Sequence, residues 1–293
     1  MATVIRKEPS RAAKAASQST LIGELLRGEG RLSDEDVDKV VLFQQERGIR
    51  FGEAAIQLGL LAEDDVNRAL SRQFSFAYAD VGESGLDESL YCAYEPFGVH
   101  AEAMRSLRSA LSLRWFTEGR KVLAVLEASR GHGCSSVVAN LGISFSQAGM
   151  RTLIVDADLR APAQRQLFGM QSSDGLANLL GGRVTMTQAI REVPSFPRLC
   201  VLNAGSTVPN PQELLSRPTF ATLMKALSST FDVVLVDCPA ALEFADAQLI
   251  AARSGACLMV ARKNRARLND LQTTKQRLAP SGAEILGAVI LEN

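Results

Sequence analysis

The stretch from Val122 to Arg160, VLAVLEASRGHGCSSVVANLGISFSQAGMRTLIVDADLR, leaves few folds open to this chain. Val122 to Leu126 is an apolar run that gives way to a glycine-containing loop, Arg130-Gly131-His132-Gly133. Ser135 and Ser136 then open a segment in which Val137, Val138, Leu141, Ile143 and Phe145 recur at roughly helical spacing. A second apolar run, Thr152 to Val155, ends in Asp156-Ala157-Asp158. Strand, tight loop, helix and strand in this order make a βαβ unit, for which a right-handed, parallel arrangement is the rule. Its first turn sets Gly131 and Gly133 where backbone N–H groups and a helix N-terminus hold phosphate.

The loop departs from the P-loop pattern G-x-x-x-x-G-K-[ST]. In that register the chain has Ala128, Gly133, Cys134 and Ser135, so a cysteine replaces the lysine that reaches the terminal phosphates. A glycine turn of purely structural purpose is the competing reading. The acids favour phosphate. Asp156 and Asp158 follow one strand, and Phe231 to Asp237 is another buried strand ending in an acid. Strand carboxyl ends are where α/β sheets bind ligands. Asp158, Asp237 and Ser135 therefore form a candidate Mg²⁺ shell, since magnesium takes carboxylate, hydroxyl and phosphate oxygens.

At 293 residues the chain has room for one large domain and a small one. A net charge of zero argues against a protein dominated by nucleic-acid binding. No uncharged apolar run approaches the ~18 residues of a membrane span. Residues 1–19 carry Arg6, Lys7, Arg11 and Lys14 without an apolar core, which predicts a flexible basic tail and not a secretory signal. The five cysteines (Cys92, Cys134, Cys200, Cys238 and Cys257) form no C-x-x-C pair and read as buried, reduced thiols.

Ahead of the βαβ unit lies an internal repeat. Ile22 to Val37 aligns with Phe51 to Val66 at an offset of 51 − 22 = 29 residues, matching Gly23/Gly52, Glu24/Glu53, Gly30/Gly59, Leu32/Leu61, Asp36/Asp65, Val37/Val66 and Gln44/Gln73. Each copy reads as helix, glycine stop and acid-rich helix start, with Ser33 the N-cap in the first. Neither copy can bury its apolar face alone, so 20–76 is expected to form one small helical domain. Residues 77–100, with Gly82, Gly85, Pro96 and Gly98, read as a linker, and 101–293 as the phosphate-binding domain. At the start of the latter, Met104, Leu107, Leu111, Leu113 and Trp115 predict a helix carrying Glu102-x-x-Arg105-x-x-Arg108 on one stripe.

The repeat resembles the N-terminal domain of type II secretion and pilus ATPases, the MshEN-like fold, some members of which bind cyclic di-GMP. That resemblance implies Gly23, Gln44, Arg50, Gly52 and Gln73 as candidate contacts, although Leu21 stands where the first copy's arginine belongs. A protein-docking module remains the other reading of this domain.

The loop, Asp156-x-Asp158-x-Arg160-x-Pro162, Asp237-Cys238-Pro239 and Ala204-Gly205-Ser206-Thr207-Val208-Pro209-Asn210-Pro211-Gln212-Glu213-Leu214-Leu215 resemble the bacterial tyrosine kinases of capsule and exopolysaccharide synthesis. With the repeat included, the chain from about residue 20 looks like the EpsG-type proteins of exosortase-associated clusters. The resemblance places the domain in the broad class of MinD/ParA ATPases. It implies ATP or ADP with Mg²⁺ as cofactors, and a membrane chain-length copolymerase as partner at the inner face of the cytoplasmic membrane. It also implies self-association through Glu102, Arg105 and Arg108. Family members carry Lys or Arg where this chain has Cys134, and their C-terminal tyrosine cluster has no counterpart among Tyr78, Tyr91 and Tyr94.

The expected fold is a doubly wound parallel sheet, a P-loop NTPase domain, preceded by a small all-helical domain. Strands are predicted at Val122–Leu126, Thr152–Asp156, Leu199–Leu202, Val233–Asp237, Cys257–Ala261 and Ile285–Ile290. Gly131, His132, Gly133, Cys134, Ser135, Ser136, Arg160 and Asp237 are the expected nucleotide contacts, and Asp156 and Asp158 the catalytic carboxylates. Between these two the general-base role stays open, with Asp156 favoured. Losing one phosphate contact costs about 3 kcal/mol, or about 100-fold in rate, so weak or lost kinase activity is expected. The alternatives are a non-catalytic scaffold responding to cyclic di-GMP and a partition-type ATPase. The latter is disfavoured because Ser129 stands where its signature lysine belongs.

Overall fold

The computed structural model describes residues 22–73, 77–79, 84–117 and 119–292; the expected basic tail lies outside them. The chain divides into two compact units, with the boundary between Tyr78 and Ala79.

The first unit contains α1 (22–28), α2 (Asp34–Arg47), α3 (Phe51–Gln57) and α4 (Glu63–Gln73). Its repeat is physical as well as textual. Gly30 and Gly59 both end a helix at φ 69°, in the left-handed region that glycine enters without strain. A Cβ on Gly23 would lie 3.4 Å from Val37, and one on Gly52 only 2.5 Å from Val66. In each copy, then, the first helix meets the second through a glycine against the matching valine. Ser33 caps α2 in a reciprocal box, accepting the Asp36 N–H at 3.2 Å while Asp36 Oδ2 accepts that of Ser33 at 3.3 Å. One core joins both copies, with Leu26, Val40, Phe51, Ala54 and Ala69 fully or almost fully enclosed.

The second unit begins with the stretch expected as a linker, which carries structure of its own. Leu90, Cys92, Ala93 and Tyr94 are buried. Around the short α5 (Tyr91–Tyr94), the Cys92 N–H donates to Asn140 Oδ1 at 2.9 Å and Gln147 Nε2 donates to the Cys92 carbonyl at 2.9 Å. Its apolar residues lack helical or strand periodicity, which is why the stretch reads as a linker in the sequence. Helix α6 (Val99–Arg114) follows. Beyond it Trp115 is buried, and its indole N–H donates to the Val122 carbonyl at 2.8 Å.

Among the described residues, seven strands form one sheet in the order β3-β4-β2-β5-β1-β6-β7. They are β1 (Val122–Glu127), β2 (Thr152–Asp156), β3 (Ile190–Val193), β4 (Phe196–Leu202), β5 (Val233–Asp237), β6 (Ala256–Arg262) and β7 (Glu284–Leu291). All six strands predicted from the apolar runs are present. The sheet is parallel except for β3, which pairs antiparallel with β4 at the edge. Its two central residues, Arg191 and Glu192, are exposed, so the short strand shows no apolar run.

Helices cover both faces. α7 (Cys134–Gln147) packs on β2, β4 and β5, with Leu141, Ile143 and Phe145 enclosed, each contributing roughly 1.5–3 kcal/mol through burial. A Cβ on Gly142 would lie 2.6 Å from Ile154, so glycine lets α7 settle closely on β2. The opposite face carries α12 (Pro218–Thr230) and α13 (Asp246–Ser254), joined by Leu153 and Val155 in one apolar cluster. The remaining helices are α8 (Gln164–Leu167), α9 (Leu176–Leu180), α10 (Met186–Ala189), α11 (Pro211–Ser216) and α14 (Leu268–Leu278).

Candidate functional site

The loop between β1 and α7, and the carboxyl ends of β2 and β5, meet at the same end of the sheet. Asp156 and Asp237 stand opposite one another across the β2–β5 ladder. Gly131 and Gly133 take φ of 90° and 92°, where a side chain would be strained. Gly133 is also crowded, since a Cβ there would lie 2.8 Å from Leu291 Cδ1 and 2.9 Å from Arg262 Nη2.

The loop amides already have an acceptor. Glu127, the last residue of β1, turns its carboxylate into the loop. Oε1 accepts the N–H of Gly131 at 3.0 Å, and Oε2 those of His132 at 2.9 Å and Cys134 at 3.2 Å. Cys134, at the lysine position, is 4% exposed. Burial, followed by the charges of Asp237 and Glu127, holds its thiol well above the usual range, so it stays protonated. His132 is buried with Nδ1 lacking a hydrogen-bond partner. Ser135 and Ser136 open α7; the Ser135 carbonyl accepts Gln164 Nε2 at 3.1 Å, and that of Ser136 accepts Asn140 Nδ2 at 2.9 Å.

The acids differ in environment. Asp156 is fully enclosed, and its Oδ2 accepts the N–H groups of Ala163 at 3.1 Å and Gln164 at 3.0 Å. Burial, and then Asp237 beside it, push its carboxyl well above the usual value. Asp237 is equally enclosed, and its Oδ2 accepts Gln164 Nε2 at 2.7 Å. Burial raises its carboxyl from 3.8 to about 6 against the opposing pull of Gln164 and Ser135. The side chain of Asp158 is 13% exposed; its Oδ1 accepts the N–H groups of Arg160 and Ala161, both at 3.0 Å. An enclosed Asp156 capping the start of α8 is poorly placed to meet a substrate hydroxyl, and Asp158 is the more open carboxylate.

Neither arginine near the loop replaces the lysine. Arg130 donates through Nε to Glu243 at 3.0 Å, and Arg160 through Nε to the buried Asp246 at 2.8 Å. The Arg160 guanidinium also stacks 4.1 Å from the centre of the Phe244 ring. Both are engaged on the α13 side, although Arg130 Nη2 also lies 4.0 Å from Asp158 Oδ2. Arg262, from the end of β6, brings a guanidinium against Gly133, and its buried Nε–H donates to no partner.

The site suits a magnesium ion only in company. Asp156 Oδ1 and Asp237 Oδ1 are buried without hydrogen-bond partners, the kind of oxygen a hard cation takes up. Among the described residues no three His, Cys, Asp or Glu are grouped to hold a metal by themselves. Phosphate oxygens and water would have to complete its shell.

With this geometry in view, comparison with known proteins decides the family. Residues 120–266 match the AAA domain family. The putative tyrosine-protein kinase CapB of Staphylococcus aureus is 31% identical over 201 residues, covering 69% of this chain and 88% of that protein. The kinase domain of the Escherichia coli tyrosine kinase ETK superposes with a TM-score of 0.67 at 28% identity, covering 69% of this chain and 79% of that domain. The chain belongs to the bacterial tyrosine kinase family. Its sheet is that of the P-loop NTPases, a fold shared with the MinD ATPases. Relatives differ in length: the tyrosine-protein kinase wzc of Salmonella typhimurium is 31% identical over 195 residues, which are 67% of this chain but only 27% of that protein.

The residues singled out in the sequence fall into three groups. Gly131 to Ser136, Asp156, Asp158 and Asp237 come together as the sequence implies. Glu102, Arg105 and Arg108 lie apart on α6, where Arg105 pairs with Glu102 at 2.6 Å and donates to the Pro96 carbonyl. Arg108 donates to the Ser144 carbonyl at 2.7 Å, so both arginines have partners within the chain while Glu102 remains 65% exposed. In the first unit, Gly23 and Gly52 are taken up by helix packing, Arg50 is exposed, and Gln44 Oε1 and Gln73 Oε1 are buried without partners. Pattern reading missed Glu127, Gln164, Glu243, Asp246 and Arg262. A buried acid directly after the apolar run of β1 was the available signal for Glu127.

Proposed function

We propose that this protein is a nucleotide-binding, tyrosine-kinase-like component of bacterial exopolysaccharide synthesis in which phosphoryl transfer is weak or lost. It would act on chain length or polymerisation together with a membrane copolymerase at the inner face of the cytoplasmic membrane. The observation that carries the reading is the setting of Cys134. A neutral, buried thiol sits between the carboxylates of Glu127 and Asp237, where phosphoryl transfer needs a cation to offset developing charge. Asp158 and Asp237 remain as candidate magnesium residues, and Arg262 is the cation beside the loop. No helix among the described residues is long and apolar enough to cross a membrane. The test is calorimetry with Mg-ADP and Mg-ATP, followed by γ-phosphate transfer with purified protein and its copolymerase. Measurable binding that Asp237→Ala weakens, with transfer near background, supports the reading; robust tyrosine phosphorylation rejects a silent site.

A second reading concerns the N-terminal unit as a receptor for an anionic dinucleotide such as cyclic di-GMP. It is favoured by Gln44 and Gln73, equivalent in the repeat, whose amide oxygens are both buried and unpaired. Titrating cyclic di-GMP against the full chain and Arg50→Ala tests it. A flat titration leaves the unit as a docking module.

A further inference from the structure

Glu127 enters the function proposed above only as a neighbour of Cys134, yet it gathers three amides of the loop. It is 8% exposed, and no Lys or Arg among the described residues forms an ion pair with it. A buried carboxylate without a cation is held only if hydrogen bonds replace the lost water. Here three converging N–H groups, from Gly131, His132 and Cys134, supply them at 3.0, 2.9 and 3.2 Å. The N-terminus of the 14-residue α7 adds its positive end. These are the groups with which a loop of this shape receives phosphate. Each N–H carries one hydrogen and cannot serve Glu127 and a phosphate oxygen at full strength together.

We propose that the Glu127 carboxylate is an internal stand-in for phosphate: it fills the anion nest of the loop, and a nucleotide binds only by expelling it. The chain thus carries its own competitive occupant, which lowers nucleotide affinity in addition to the missing lysine. Apparent affinity falls by the fraction of molecules in which the nest is free. The same contact determines loop shape, since a carboxylate pinned by three amides preserves the phosphate-receiving conformation without a ligand. The competition rests on the reading that the loop takes nucleotide, while the contact itself does not.

Two measurements separate these. Amide hydrogen exchange of Gly131, His132 and Cys134 reads the contact alone, in wild type, Glu127→Ala and Glu127→Gln. Calorimetry with Mg-ADP, Mg-ATP and inorganic phosphate reads the competition in the same three proteins, with circular dichroism confirming that each is folded. The expected result is faster exchange of those three amides in Glu127→Ala, restored by phosphate. It is accompanied by a rise in nucleotide affinity of about tenfold or more, with Glu127→Gln in between. Unchanged exchange in a folded Glu127→Ala overturns the proposal whatever the nucleotide does. Faster exchange with equal, measurable affinity in all three proteins overturns the competition. Faster exchange with no binding by any of them overturns the nucleotide reading and leaves the internal contact standing.

Discussion

Asp156 and Asp237 face each other across adjacent parallel strands, both fully buried, with one unpartnered oxygen apiece. Two carboxyl groups in that setting cannot both ionise cheaply, and the pair holds a proton at pH values where free aspartates have lost it.

A stability profile follows from the sign of that shift. The Asp237 carboxyl is raised from 3.8 to about 6, so the folded chain binds its proton more tightly than the unfolded chain. Its stabilisation is complete below pH 3.8 and is lost as pH rises through about 6; the shift of Asp156 has the same direction and adds to the decline. Asp237→Asn is expected to gain on the order of 2–3 kcal/mol at pH 8 while abolishing magnesium-dependent nucleotide binding. Urea denaturation from pH 4 to 8 checks this, and equal profiles for variant and wild type reject it.

Cys134→Lys is expected to raise Mg-ATP affinity modestly, because the new ammonium enters between Glu127 and Asp237 and pairs with them first. Combining it with Glu127→Ser is expected to exceed the product of the single effects by about fivefold or more, as contacting residues couple by roughly 0.5–3 kcal/mol. Dissociation constants for the four corners of the cycle decide it. Strict additivity rules out communication between positions 127 and 134.

In the N-terminal unit, Gly52→Ala drives a methyl to within 2.5 Å of Val66 Cγ1. The expected cost is about 1–3 kcal/mol, as for other overpacked cores. Adding Val66→Ala is expected to recover part of it. Hydrogen exchange of α3 and α4 in the full chain reports both, and unaltered protection in Gly52→Ala rejects the close approach.

Self-association through α6 is expected to be weak and salt-sensitive, since exposed ion pairs contribute about 0–1 kcal/mol. Glu102 is the open member of the stripe, so Glu102→Lys is the sharper probe. Arg108→Ala also removes the hydrogen bond to the Ser144 carbonyl and lowers stability. Light scattering at low and high salt checks assembly, with thermal denaturation as the control. A mass unchanged by Glu102→Lys removes this helix from any interface.

The alternation of apolar runs, glycine loops and helical spacing made most of the second unit legible from the chain alone. β2 and β5 run Thr152–Asp156 and Val233–Asp237, as their apolar residues mark them, and Gly30 and Gly59 stop their helices in both copies of the repeat. These are local properties: period, capping chemistry and backbone freedom act within a few residues. The antiparallel β3 was hidden because half its residues face solvent, and α5 because its residues gain burial only through tertiary packing on α6 and α7.

The chemistry at the loop was decided by tertiary structure. Gln164 meets Asp237 across 73 positions, Arg160 meets Asp246 across 86, and Arg130 meets Glu243 across 113. No periodicity reports such partners, because they are chosen by which strand ends the sheet brings together. Sequence alone determined that a phosphate-type loop without its lysine stands beside three aspartates. Only the folded chain determined that Asp156 is enclosed while Asp158 is more open, that Arg130 and Arg160 pair with Glu243 and Asp246, and that the loop amides point at Glu127. A side chain's charge is written in its residue type, but what that charge does depends on burial and on the hydrogen-bond donors that packing sets around it.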